Sequence, residues 1–335
     1  MKKLLNVFLL LSSLIVILMG AHLFTNGIEW LGKRLKLAEG AVGSILAAVG
    51  TALPETMIPV IAILLGSKSG EDIGIGAILG APFMLATLAM GIVGISIIIF
   101  KRRRLGQTNL NINPTVMRRD LSFFLVAYTV AISATFIANP LFRNFIAVLL
   151  VLIYVIYVWL TLRDNNTLGE AHLKPLFLAR KVTYPKLKII LIQIIIALAM
   201  IIIGAHGFVN AIKSIAEILQ VPGFILALII APVATELPEK FNSIIWVRSE
   251  KDTLAMGNIT GAMVFQSSLI PALGITMTKW ELTNIALVSA SFAILSASVL
   301  LLSLKLKGKL TAKYLLMGIP LYILFVIIVL TFDTL

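Results

Sequence analysis

Two glutamates in this chain, Glu55 and Glu239, stand where a carboxylate is expensive. Each lies inside an apolar run and directly follows a proline, in GTALPE at 50–55 and in ATELPE at 234–239. An ionised side chain at the centre of a membrane helix costs about 2.5–3.5 kcal/mol on insertion scales, so such a residue faces a partner or a water-filled cavity. Pro54 and Pro238 each remove one N–H and clash with the carbonyl four residues back. The carbonyls near Gly50 and Ala234 are freed by such kinks. A carboxylate beside free carbonyls is a hard oxygen site, suited to Ca2+ or Na+ rather than to soft metals. Thr51 and Thr235 precede their glutamates by four residues, so each is expected to share its glutamate's helix face. Glu236 and Lys240 are also four apart, with Glu first, the order that favours a same-face pair. Either this is an ordinary ion pair near a span end, or Lys240 substitutes for a bound cation while Glu236 or Glu239 exchanges protons.

The elements that must carry these residues follow from composition. Of 335 residues, 59% are hydrophobic and 13% charged, and the mean hydropathy is +1.04. The apolar residues come in runs such as Leu4 to Gly20, Leu121 to Ala138 and Tyr314 to Phe332. About 20 such residues span the hydrocarbon core as a helix, and inside lipid the backbone must pair within the segment. The alternating pattern of a membrane barrel is absent. The fold class is therefore all-α integral membrane, with about ten transmembrane helices. The spans fall roughly at 4–24, 40–66, 72–100, 120–138, 142–162, 187–211, 222–247, 253–275, 282–304 and 311–332. The N-terminus resembles a secretory signal peptide, but its continuation matches a segment deep in the chain, so it is read as the first span. With no cysteine, disulfides, thiolate metal sites and thiol nucleophiles are excluded. The net charge of +13 is read as loop charge that sets orientation, not as a nucleic-acid surface.

An internal repeat organises the spans. Residues 20–55 align without a gap on residues 204–239, pairing Gly20 with Gly204, His22 with His206, Asn26 with Asn210, Thr51 with Thr235, Pro54 with Pro238 and Glu55 with Glu239. Matches at His, Asn, Pro and Glu do not follow from a shared apolar bias. The repeat divides the chain into a first five-helix half at 1–162, a polar linker at 163–186 and a second half at 187–335. Five spans per half is an odd number, so the second half enters with inverted polarity. Inverted repeats favour alternating access with the ion site near mid-membrane. Of the 28 Lys and Arg, only Lys2, Lys3, Lys68, Arg143, Lys213 and Lys279 lie on one side. The positive-inside rule makes the other side cytoplasmic, with both termini outside, the linker inside and the plasma membrane as the location. His22 and His206 are read as hydrogen-bonded structure, with Asn26 and Asn210 as partners, ahead of a proton relay.

GTALPE and ATELPE resemble the paired alpha-repeat motif of the calcium/cation antiporter superfamily, which includes the sodium/calcium exchangers and whose usual form is close to GTSLPE. The resemblance runs upstream through GAHLFTNGIEWLGKRL and covers essentially the whole chain. It implies Ca2+ bound between Glu55 and Glu239, assisted by backbone carbonyls at Thr51 and Thr235, with countertransport of Na+ or H+ and no bound cofactor. The chain departs from the pattern. The serine after the threonine is Ala52 in one half and Glu236 in the other. The GNxxGSN-like run of the next helix appears as GAILGAPFML at 76–85 and GNITGAMVFQ at 257–266. Ala81 and Ala262 replace ligand serines, and Leu85 and Gln266 stand at the later Asn/Asp positions. Asn258 persists, whereas its counterpart is Ala77. Glu236, Asn258 and Gln266 join the metal-ligand candidates. The partners implied are inorganic cations and the lipid bilayer. A same-superfamily antiporter for Mn2+, Mg2+ or K+ is the alternative. A channel suits paired kinked helices less well. An intramembrane enzyme finds no HExxH motif and no acidic magnesium motif to rest on.

Overall fold

The computed structural model describes residues 2–34, 52–65, 68–104, 106–163 and 174–332. In chain order the helices are α1 (Lys2–Arg34), α2 (Leu53–Leu64), α3 (Lys68–Ile99), α4 (Pro114–Ser133), α5 (Pro140–Arg163), α6 (Leu187–Leu219), α7 (Gly223–Thr235), α8 (Leu237–Arg248), α9 (Asp252–Met277), α10 (Asn284–Lys307), α11 (Ala312–Leu316) and α12 (Gly318–Phe332). Among the described residues, eight helices are long and apolar enough to cross a membrane, and two shorter apolar ones, Pro54–Leu64 and Gly223–Thr235, accompany them. The protein is thus an all-helical, multi-pass membrane protein. Start signals are legible locally. Asn113 caps α4, its side chain accepting from Thr115 N at 3.0 Å, ahead of Pro114. Thr283 caps α10 in the same way, accepting from Ala286 N.

The repeat reappears as helix positions. Leu53 and Leu237 open α2 and α8, and Lys68 and Asp252 open α3 and α9, at the spacing that separates Glu55 from Glu239. The matched helices α1 and α6, 33 residues each, pack against one another and run antiparallel. A β-carbon added at Gly20 would lie 2.9 Å from Ile201 Cγ1 and 3.0 Å from Ala197 O. One added at Gly204 would lie 2.7 Å from Ile17 Cγ1 and 3.0 Å from Ser13 O. These contacts exchange under the repeat, since Ile17 matches Ile201 and Ser13 matches Ala197. Small residues let membrane helices approach where no hydrophobic force drives them together. Gly76 and Gly80 do the same on α3, which lies against the carbonyls of Phe224 and Leu228 on α7. Overpacking such a contact costs about 1–3 kcal/mol. Gly204→Val is therefore expected to lower the thermal unfolding midpoint of the detergent-solubilised protein, and an unchanged midpoint would show that the crossing yields freely.

The polar linker is tied to the α1–α6 pair. Asn26 Nδ2 donates to the carbonyls of Lys174 and Pro175 at 3.3 and 3.4 Å, and its Oδ1 accepts from Phe177 N at 3.2 Å. Gln193 on α6, fully buried, donates to Asn26 Oδ1 and Leu23 O and accepts from Leu178 N. Trp30 Nε1 donates to Lys174 O at 2.9 Å. Asn26 is therefore not the partner of His22, contrary to the sequence expectation. His22 is exposed and packs on the Phe177 ring at 5.3 Å, while the Asn26 amide is taken up by linker backbone groups and Gln193.

At the same basic end, the connections after α3, α8 and α10 are knitted together. Arg104 forms a bidentate pair with Asp252, at 2.8 Å to Oδ1 and 2.5 Å to Oδ2. Both side chains are buried. Arg104 also donates to Val247 O at 3.0 Å, and Asn111 N donates to Asp252 Oδ2 at 2.7 Å. Its hydrogen bonds to Asp252 hold the pKa of the Arg104 guanidinium above its ordinary value. A single antiparallel bridge joins Asn109 to Thr311. At the opposite end Trp280, in the left-handed region with φ 50°, is fully buried and donates its indole N–H to Ala131 O at 2.9 Å.

Candidate cation-binding site

Both glutamate motifs open a half-helix. Ala52 is the N-cap of α2, Pro54 sits in its first turn, and Glu55 follows in that turn. Glu55 is 8% exposed. In the second half the helix breaks at Glu236, which separates α7 from α8, and Pro238 lies in the first turn of α8. Proline cannot donate to the carbonyl of Ala234, and the ladder stops there. Glu239 therefore falls in the first turn of α8, although its side chain, with those of Pro238 and Lys240, lies outside the described residues. Helix N-termini carry unpaired N–H groups and a partial positive charge that favours a carboxylate. The same chemistry that breaks the helix thus lowers the penalty of keeping an acid beside the break.

The break corrects one expectation. Thr235 is the last residue of α7 and Glu239 belongs to α8, so the pair does not share one helix face. The i, i+4 rule holds only along a continuous ladder, and Pro238 interrupts it. Thr235 is buried, and its hydroxyl donates to Ala231 O at 3.0 Å. That bond uses the proton and leaves the oxygen lone pairs for a cation. Thr51 lies outside the described residues. Glu55 and Thr235 flank one small cluster, in which Ile58 and Ala62 of α2 meet Ala227 and Ala231 of α7.

The second-tier candidates gather around α8 and α9. Glu236 is 1% exposed and Gln266 is 3% exposed, and Gln266 Nε2 donates to Glu236 Oε1. Gln266 Oε1 is buried and accepts from no described residue. An amide oxygen held in this way is an acceptor open to a cation. Asn258 Nδ2 reaches Ser243 Oγ at 3.5 Å, and Ser243 donates to Ala255 O at 3.1 Å. Ser243, fully buried one turn beyond Glu239 on α8, was not foreseen from sequence, since a lone serine in an apolar helix carries no distinctive signal. The matching positions on α3 are apolar and buried: Ala77, Ala81 and Leu85. A π-turn, Leu85–Ala89, begins at that leucine. Among the described residues no three His, Cys, Asp or Glu side chains cluster. The described candidate oxygen donors are spread over α2, α7, α9 and the turn at Glu236.

Four findings bear on kinship. The model of the sodium/calcium exchanger protein family matches residues 5–163 and 189–331. The crystal structure of an H+/Ca2+ exchanger, CAX, superposes with a TM-score of 0.75 at 18% identity, covering 97% of this chain and 82% of that chain. The sodium-calcium exchanger NCX_Mj superposes with a TM-score of 0.59 at 20% identity, covering 96% of this chain and 97% of that chain. In sequence, the putative antiporter CaxA of Alkalimonas amylolytica is 23% identical over 310 residues, or 90% of each chain.

Proposed function

Because the chain belongs to the sodium/calcium exchanger family, we propose that it is a secondary active antiporter that exchanges Ca2+ for Na+ or H+ across the membrane by alternating access. The observation that carries this reading is the pair of half-helices, α2 and α8, each opening with Leu-Pro-Glu inside the apolar bundle. Glu55 and Glu239 are the central carboxylates. Thr51 and Thr235 supply backbone or hydroxyl oxygens, and Glu236, Asn258 and Gln266 complete the oxygen set. Hard cations take six to eight such ligands in flexible geometry. The halves 1–162 and 187–335 are the two inverted repeats, and the site lies at their interface. The antiparallel α1–α6 crossing supports this division. The bias of Lys and Arg supports a plasma-membrane orientation with both termini outside and the linker 163–186 in the cytoplasm.

A second reading is favoured by Ala77, Ala81 and Ala262, which replace oxygen donors of the family pattern. The same scaffold then carries Mn2+, Mg2+ or K+, with H+ or without Na+ coupling. Both readings are separated in proteoliposomes loaded to give an outward Na+ gradient, an outward H+ gradient or neither. Radiolabelled Ca2+ uptake driven by one gradient is the expected result and names the counter-ion. No gradient-driven Ca2+ uptake by folded protein would overturn the first reading and move the assay to the other cations.

A further inference from the structure

Outside the candidate site, one buried carboxylate stands in the bundle without a stated task. Asp120 on α4 is 2% exposed. Thr260 on α9, fully buried, donates its hydroxyl to Asp120 Oδ2 at 2.7 Å. Arg119 Nε approaches Oδ1 at 3.4 Å, and the Tyr157 hydroxyl of α5 lies beside the same carboxyl. Arg119 also lies over the Tyr157 ring at 5.7 Å. The acid therefore joins three helices, and its adjacent guanidinium argues against a second cation site.

The position of Thr260 gives this cluster a use. Thr260 and Asn258 are two residues apart on α9, which sets their side chains about 200° apart around the axis. Thr260 faces Asp120 and Asn258 faces Ser243 of α8. Helix α9 is thus gripped from opposite sides, by a polar anchor behind and by site residues in front. Met256, Ile259 and Met263 pack this stretch into the core, but its glycine face is open. A β-carbon at Gly257 would meet nothing within 4 Å among the described residues, and one at Gly261 would meet only the Tyr157 hydroxyl oxygen at 3.7 Å. Polar contacts therefore act together with apolar packing in setting the rotation of the helix.

We propose that Asp120 is a positioning residue for the cation site: through Thr260 it fixes the rotation of α9 that presents Asn258 and Gln266 to α8 and the Glu236 break. The link to transport rests on the antiporter reading, whereas the anchoring does not. Losing the anchor lets α9 turn, and the site loses ligands from its front face while its carboxylates remain.

The test uses the absence of cysteine from the chain. A reporter is placed by Ala262→Cys, one turn beyond Asn258, and its rate of maleimide labelling is followed in the full-length protein. Thr260→Val keeps shape and removes the donor, and Thr260→Ser restores it. Labelling is expected to change severalfold in Thr260→Val and to return to the parent rate in Thr260→Ser. An unchanged rate in Thr260→Val overturns the anchor, whatever the protein carries. In the chain without the reporter, Thr260→Val and Asp120→Ala are expected to raise the apparent KM for the transported cation about tenfold, an effect that disappears when Asn258→Ala is already present, as coupled residues require. A lower Vmax at unchanged KM, additive with Asn258→Ala, would mean a purely structural role and would also overturn the proposal. Absence of any cation flux from the wild type would count against the antiporter reading, while the labelling result would still decide the anchor.

Discussion

Glu55→Gln is expected to lower gradient-driven Ca2+ uptake by at least about a hundredfold while leaving the protein folded. Groups that merely orient a metal ligand cost about 10–100-fold in affinity or activity when removed, and Glu55 is proposed as a ligand itself. The substitution keeps size and hydrogen-bonding capacity and deletes only the charge. It also removes the electrostatic partner of the α2 N-terminus, a contribution of about 0.3–1 kcal/mol in exposed settings. That is small beside the loss of one carboxylate from a divalent site. Glu239→Gln is expected to act alike, because repeat symmetry makes the two acids equivalent in role. Uptake into proteoliposomes, normalised to monodisperse protein, measures both. Retention of most of the wild-type rate in Glu55→Gln would mean that the buried acid of α2 serves packing alone.

The second large effect falls on stability. Arg104→Ala is expected to destabilise the fold by about 3–5 kcal/mol, the range for breaking a buried ion pair by removing one partner. Asp252 would keep its bond from Asn111 N but lose the guanidinium that neutralises it. Asp252→Ala should be comparably damaging, since Arg104 would be left buried with only carbonyl partners. Joint replacement by apolar residues, Arg104→Leu with Asp252→Leu, is expected to recover much of the loss, because desolvation of both charges disappears with them. Thermal unfolding in detergent would report all three. If each single variant melted with the wild type, the pair would be energetically idle despite its geometry.

The helices were legible because membrane spans announce themselves by long apolar runs. Pro238 marks the disturbance before Glu239, but in sequence it reads as a kink within one span at 222–247, whereas the structure has a break at Glu236. Pro59, Pro82, Pro232 and Pro271 stay inside their helices, so proline alone does not tell a kink from a break. What sequence did not reveal depends on which helix meets which. Asp120 follows Arg118 and Arg119 near a span start and is not singled out in sequence, because only the packing of α9 brings Thr260 against it. Arg104 belongs to a basic run that reads as a solvated leaflet contact, yet it is buried against Asp252. Asn26 seemed matched to His22 one turn away on the same helix, but its partners lie in the linker and on α6. Thr235 and Glu239 illustrate the reverse failure, in which a periodicity rule was extended across a proline read as a kink, where the structure has a break.

The reciprocal contact of α1 with α6 has the form of an isologous interface, in which residue i meets j and j meets i. Gly20 receives Ile201 while Gly204 receives Ile17. Taken alone, this crossing has two equivalent ends. In the fused chain, the linker docks on Asn26 and Gln193 at one end only, and the repeat counterpart of Gln193 on α1 is Leu9. The docked linker therefore makes one end of an otherwise reciprocal helix pair chemically distinct from the other.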